Sequence, residues 1–220
     1  MGLQRTALLV GATGLIGDCV LEMLLEDDDY DKVIVLVRRR LAFNYDKLVQ
    51  HVIDFDALDA SAQLMQANDV FCCLGTTIKK AGSQEAFRKV DYEYPLRIAE
   101  LALARGAEQF LIITALGADT HSRIFYNRIK GKIEQAVREL PFRAIHIFRP
   151  SILVGDRREA RPGEKVGVAV MKLFSFLMIG AWRKYRPIRA ELVARAMVAA
   201  AKTNHPSVNI HESDIIHRMA

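Results

Sequence analysis

Long apolar runs are missing from this chain. No stretch reaches the ~18 consecutive apolar residues that a membrane-spanning helix needs. The longest candidate, Val166 to Ala181, is broken by Lys172 and by Gly167 and Gly180. The amino end has no secretory-signal pattern: Met1–Arg5 is short, and the apolar residues after it run straight into glycines. Cysteine is scarce as well. Cys19 falls in a predicted helix, and Cys72 and Cys73 are adjacent, a spacing that cannot easily bridge and fits no metal. The histidines are scattered without ligand spacing, and there is neither an internal repeat nor a low-complexity linker. These absences argue against a membrane protein, a disulfide scaffold and a metal centre, and they predict a cytoplasmic location.

What is present is an ordinary globular composition in 220 residues, 51% apolar and 26% charged, which suits one domain with a full core. The formal net charge is +5, with arginine clusters at Arg38–Arg40, Arg157–Arg161 and Arg183–Arg189. Such a surface suits nucleic acid or a small polyanion such as a dinucleotide phosphate. No aromatic-interleaved basic patch and no recognition-helix pattern supports nucleic acid.

Short apolar runs alternate with helical patterns. Strands are predicted at Thr6–Val10, Val33–Val37, Leu48–Ile53, Val70–Leu74, Phe110–Thr114, Ala144–Phe148 and Val208–His211. Helices are predicted at Leu15–Glu26, Ala57–Gln66, Asp91–Arg105, Ser122–Leu140, Glu164–Ile179 and Arg189–Lys202. Apolar strands in β-α-β alternation give an α/β fold with a doubly wound, mostly parallel sheet, and place ligands at the carboxyl ends of the strands where the order reverses. The irregular, arginine-rich segment 151–187 is expected to form a small cap over that crevice within the single domain 1–220.

The strongest local signal is Gly11-Ala-Thr-Gly14-Leu-Ile-Gly17, which follows a strand, opens a helix and begins the first βαβ unit. Gly11 permits the tight turn, Gly14 lets the backbone approach a pyrophosphate, and Gly17 lets the helix pack close to the sheet. Thr13, Leu15 and Ile16 complete the loop, whose helix N-terminus offers free N–H groups to phosphates. The second predicted strand ends in Arg38-Arg39-Arg40 where an NAD site commonly has an acid, and a guanidinium pairs with a 2′-phosphate that a carboxylate repels. Arg38 and NADP(H) are the expectation. Asp54, after the third strand, is a candidate for the adenine, and Leu74-Gly75-Thr76, after the fourth, for the backbone beside the cofactor.

On the predicted helix Ser122–Leu140, Lys130 falls on the apolar stripe of Ile129, Ile133 and Val137, where an ammonium is costly unless paired or touching a ligand. Tyr126 lies four residues earlier, so the two side chains are neighbours. A phenol titrates near 10 in water, and a neighbouring ammonium favours its ionised form. Such a phenol can exchange a proton with a substrate oxygen. Thr114, at the end of the fifth predicted strand, is the candidate for positioning that oxygen. Arg149, at the end of the sixth, suits either a cofactor or substrate contact, or a carboxylate partner.

With these residues in view, the sequence resembles the short-chain dehydrogenase/reductase superfamily, and within it the atypical branch that includes the HIV Tat-interactive protein. The resemblance rests on Gly11–Gly17, Cys73-Leu-Gly-Thr-Thr77, Asp91-Tyr-Glu-Tyr-Pro95, Leu116-Gly-Ala-Asp119, Tyr126–Gly131 and Arg149-Pro-Ser-Ile-Leu-Val-Gly155. It implies an NADPH-bound Rossmann domain with a Ser/Thr-Tyr-Lys site. One departure stands out: Thr114-Ala115 occupies a place where the branch often has two serines. Two functions follow. One is an NADPH-dependent oxidoreductase acting on a small carbonyl compound or alcohol. The other is an NADPH-binding sensor that works through a protein partner.

Overall fold

Residues 5–154, 186–203 and 206–220 are described by the computed structural model of the chain. β1 (Arg5–Val10), β2 (Tyr30–Val37), β3 (Leu48–Val52), β4 (Asp69–Cys72), β5 (Gln109–Ile113), β6 (Ala144–Arg149) and β9 (Val208–Glu212) form one sheet in the order β3-β2-β1-β4-β5-β6-β9. Every neighbouring pair in it is parallel. The α/β, doubly wound expectation therefore holds.

Strand alternation divides the core into two layers. Ala7 and Leu9 of β1 join Phe71, Leu111 and Phe148 under α1 (Leu15–Glu26) and α6 (Ala190–Lys202). Leu8 and Val10 join Val70, Phe110 and Ile147 under α4 (Tyr94–Ala104) and α5 (Phe125–Arg138). α1 buries Ile16, Val20, Leu21, Leu24 and Leu25, a stripe at helical spacing. Each such side chain contributes about 1.5–3 kcal/mol when removed from water.

Several local features depart from the sequence reading. The segment after β3, Phe55–Leu64, is a kinked 3₁₀ stretch rather than an α-helix. The predicted helix from Asp91 begins as a wide π turn, Lys89–Glu93, and becomes α4 only at Tyr94. Two short helices, α2 (Ile78–Ala81) and α3 (Gln84–Arg88), fill a stretch read as loop, and α7 (Ser213–Met219) follows β9. β7 (Leu153–Val154) and β8 (Ile188–Arg189) pair with each other outside the main sheet. Most of the expected cap, including the predicted helix Glu164–Ile179 and the Arg157–Arg161 cluster, lies outside the described residues. Among the described residues no helix is long and apolar enough to cross a membrane.

Candidate active site

The strand order reverses between β1 and β4, so the connections leaving their carboxyl ends pass to opposite faces of the sheet and open a crevice. Gly11, at φ +84°, turns the chain there. A Cβ on Gly11 would sit 2.5 Å from the Cys73 carbonyl oxygen, so the tip of β4 passes too close for any side chain. A Cβ on Gly17 would lie 2.1 Å from the Gly11 oxygen, which fixes how tightly α1 seats on the turn. Gly14 is the N-cap, and no side chain caps the helix. The first-turn amides, Leu15 and Ile16 among them, are therefore left to an anion. A backbone cradle that excludes Cβ atoms, with an uncapped helix aimed into it, fits a pyrophosphate.

This turn forms one end of a cleft of about 1560 Å³. Thr13, Gly14, Leu15 and Ile16 line it from the first loop, and Leu74, Gly75 and Thr76 from the loop after β4. Its lining includes Arg39, Arg40, Lys79, Lys80, Lys130 and Arg189 against Asp18, Asp91 and Glu191, a balance that favours a polyanionic ligand. Arg38 is exposed and does not line the cleft, whereas Arg39 and Arg40 do. Asp54 is also outside the lining: its Oδ1 accepts from the Asp56 N–H at 2.9 Å and caps the 3₁₀ segment. That local bond is typical of aspartate at a turn.

Tyr126 and Lys130 project from α5 on the cleft wall. The Tyr126 ring lies 5.5 Å from that of Phe87 in α3, a tilted aromatic contact. Lys130 is buried, and its Nζ lies 2.8 Å from Asp91 Oδ1 and 3.5 Å from the Ile113 carbonyl oxygen. Burial works to lower the ammonium's pKa, but Asp91 and Tyr126 outweigh it and hold Lys130 above the ordinary lysine value. Asp91 Oδ2 accepts the Thr76 N–H at 2.9 Å. Sequence reading placed Asp91 at the start of a helix and in the resembling stretch Asp91–Pro95, but gave it no role at the site. The signal for it was the demand of a core-facing ammonium for a counter-charge.

Thr114 borders the same cleft, but its hydroxyl donates to Glu134 Oε1 at 2.6 Å and also lies 3.2 Å from the Phe148 carbonyl oxygen. Its single proton is committed there. The hydroxyl expected to position a substrate oxygen is thus already engaged with Glu134. Ala115, next in sequence, has no hydroxyl to offer. Arg149 is likewise engaged: its Nε lies 2.9 Å from Glu134 Oε1, it is absent from the cleft lining, and of its two expected roles the carboxylate partner is the one formed. Glu134 was not singled out in the sequence, although it sits one turn beyond Lys130. Gly131 entered the sequence reading only as the end of the matching stretch Tyr126–Gly131, with no packing role. A Cβ there would fall 2.3 Å from the Asp119 carbonyl carbon, so this glycine lets α5 lie against the 117–120 loop.

The sequence model of the NAD dependent epimerase/dehydratase family matches residues 7–210. Protein HTATIP2 from Rattus norvegicus is 38% identical over 199 residues, 89% of this chain and 80% of that protein. Protein FMP52, mitochondrial, from Eremothecium gossypii is 35% identical over 211 residues, 94% of this chain and 93% of that protein. Among solved structures, the Bordetella bronchiseptica enzyme WbmH in complex with NAD+ superposes with a TM-score of 0.71 at 15% identity, covering 96% of this chain and 76% of that one. UDP-glucose 4-epimerase from Thermotoga maritima gives 0.69 at 17% identity, covering 93% of this chain and 76% of that one. At these identities the superpositions speak to the fold. The family match and the two relatives go further: this chain belongs to the NAD dependent epimerase/dehydratase family, as an atypical short-chain dehydrogenase/reductase of the HTATIP2 branch with an NAD(P)-binding Rossmann fold.

Proposed function

We propose that the chain is an NADP(H)-dependent oxidoreductase that reduces a small carbonyl compound, with Tyr126 as proton donor and Lys130 as its cationic partner. The observation that carries this reading is the pairing of an uncapped, Cβ-excluding glycine turn with Tyr126 and a buried, charged Lys130 along one cleft.

The α1 amino end and Thr13–Ile16 would hold the pyrophosphate, and the Leu74–Thr76 backbone would run beside it. Arg39 and Arg40 receive the 2′-phosphate, because two guanidiniums in that stretch of lining favour it over a bare ribose. When bound, a reduced nicotinamide would supply a hydride, one proton with two electrons, to the carbonyl carbon. Tyr126 gives its phenolic proton to the carbonyl oxygen and regains one from solvent, so the product is the alcohol. Lys130 has three N–H donors. One points to Asp91 and one to Ile113 O, leaving the third for the ribose hydroxyls of the cofactor. With Thr114 committed to Glu134, Tyr126 is the donor to the substrate oxygen. The same groups run the oxidation in reverse.

Tyr126→Phe tests this. NADPH oxidation against a panel of aldehydes and ketones is expected in the parent and absent in the variant, with NADPH affinity changed by less than about twofold, since the ring remains and only a hydroxyl is lost. Turnover that survives in Tyr126→Phe would overturn the assignment.

A second reading is favoured by one observation. The Thr114 hydroxyl is consumed by Glu134 and Ala115 offers none, so the third group of the family's site is missing. On this reading the chain is an NADPH sensor that signals through a protein partner. Tight NADPH binding without turnover on any panel member is its signature. A cytoplasmic location belongs to both readings, and import of the tagged chain into isolated mitochondria would overturn that part.

A further inference from the structure

Lys130 is 4% exposed, and an ammonium so far from water is stable only when its charge is answered. Asp91 from the π turn, Tyr126 from one turn earlier on the same helix, the Cys72 thiol from the end of β4 and the Ile113 carbonyl from β5 surround it. Of these, only Asp91 brings a full negative charge. It is 1% exposed, has Oδ1 2.8 Å from Lys130 Nζ, and uses Oδ2 to accept the Thr76 N–H at 2.9 Å. One carboxylate therefore joins the loop after β4, which lines the cleft, to the cationic head on α5. Gly75 sits against the same pair, with a built Cβ 3.7 Å from Asp91 Oδ1 and 4.0 Å from Lys130 Nζ.

Resting on the reading of Tyr126 and Lys130 given above, we propose that Asp91 is a positioning residue for the reaction: its carboxylate keeps the Lys130 ammonium charged inside the protein and aims it at the cleft beside the Thr76 loop. Removing the carboxylate leaves burial unopposed by any full negative charge, so the ammonium gives up its proton at a lower pH. Asp91→Asn is the informative change, because the amide nearly preserves volume and its oxygen can still accept from Thr76 N–H.

The measurement is an NMR titration of ¹³Cε-labelled lysines in the free protein, with the Lys130 signal identified by its loss in Lys130→Met. In the parent, Lys130 is expected to stay protonated beyond the ordinary lysines. In Asp91→Asn its midpoint is expected to fall by about one unit or more, in line with desolvation effects on buried lysines. NADPH affinity in the variant is then expected to match the parent at pH 6.5 and to weaken as Lys130 loses its proton, whereas the parent stays level over the same range. Asp91→Glu, which keeps the charge, is expected to restore a high midpoint. An unchanged Lys130 midpoint in Asp91→Asn, alongside reduced stability, would make Asp91 a mere tether for Thr76 and overturn the proposal.

If Asp91→Asn fails to fold, the double variant Asp91→Asn/Lys130→Met decides. Recovery of folding supports charge compensation, and continued failure overturns it. The NMR titration needs no cofactor. Failure of the parent to bind either NADPH or NADH would sink the functional reading without touching the Lys130 result, and the converse also holds.

Discussion

Arg149 at the end of β6 and Glu134 in α5 form a two-pronged ion pair, with Arg149 Nε 2.9 and 3.2 Å from the two carboxylate oxygens. Glu134 is buried and also receives the Thr114 hydroxyl, so this carboxylate ties α5 to the ends of β5 and β6. Removing the guanidinium leaves the buried Glu134 charge with only the Thr114 hydroxyl and the more distant Arg138, 3.7 Å away. Arg149→Ala is expected to cost about 2–3 kcal/mol in urea unfolding, at or just below the ~3–5 kcal/mol for breaking a fully buried pair, because Arg149 is partly exposed and Arg138 still faces Glu134. Its NADPH affinity should match the parent. A selective loss of affinity with no loss of stability would return Arg149 to the cofactor site.

Gly131 and Gly75 make a matched contrast. At Gly131 an added methyl meets the backbone of Asp119 and Thr120 within 2.4 Å, and backbone cannot step aside without moving the loop. Gly131→Ala is expected to lower stability by about 3 kcal/mol or more, at or beyond the upper end of overpacking costs. Gly75→Ala meets only ordinary contacts, and its effect should stay within about 1 kcal/mol by the same reasoning. Thermal or urea unfolding of both variants checks the difference, and equal costs would contradict the packing described at α5.

Nucleotide preference should follow Arg39 and Arg40. Replacing both by aspartate is expected to weaken NADPH by about tenfold or more relative to NADH, since a loss of ~1.4 kcal/mol in phosphate pairing already gives that factor. Arg38→Asp should leave the ratio nearly unchanged. Isothermal titration with both reduced nucleotides reads it directly, and a larger effect from Arg38 would reverse the assignment.

His146 and His211 stack across β6 and β9 with ring planes 9° apart and Nδ1 of His146 3.1 Å from Nε2 of His211. Burial, with His211 adding to it, pushes His146 down to about 4. The unfolded chain, with an ordinary histidine near 6.5, then binds more protons than the folded one between about pH 6.5 and 4. The stability this neutral pair supplies is complete above that window and is lost as the pH falls through it. His146→Phe is expected to flatten the fall in Tm between pH 7 and 4.5 relative to the parent, and an unaltered slope would show that the acid sensitivity arises elsewhere.

The sheet was legible because its signals are repetitive. Apolar runs alternate with helical stripes, and the glycine turn stands where the first unit needs it, so α1 was placed at Leu15–Glu26 and found there. The cleft's glycine loop and the Tyr126–Lys130 spacing were legible for the same reason, being contiguous or four apart on one helix. What sequence reading missed comes from pairs distant along the chain. Asp91 meets Lys130 from 39 residues away, and Glu134 meets Thr114 and Arg149 from different strands. No periodicity records such meetings. The short helices α2 and α3, of four and five residues, are below the length at which a stripe can be recognised. Thr114 was assigned by position alone, and position does not reveal which way a hydroxyl's proton is drawn.

The wide turn at Lys89–Glu93 constrains how this chain can change length. α3 precedes it and sets Phe87 against Phe125 and Tyr126, at 5.8 and 5.5 Å between ring centres. α4 follows it and is anchored on the sheet by Ile98, Ala99 and Ala102. Deleting one residue in between would tighten the turn to regular pitch and rotate everything upstream by about 100° about the helix axis. Phe87 would swing off the tyrosine while α4 stayed in place. Insertions and deletions among relatives should therefore gather in the loops on either side and spare these five positions, so that the spacing between Phe87 and Ile98 serves as a ruler for aligning the branch.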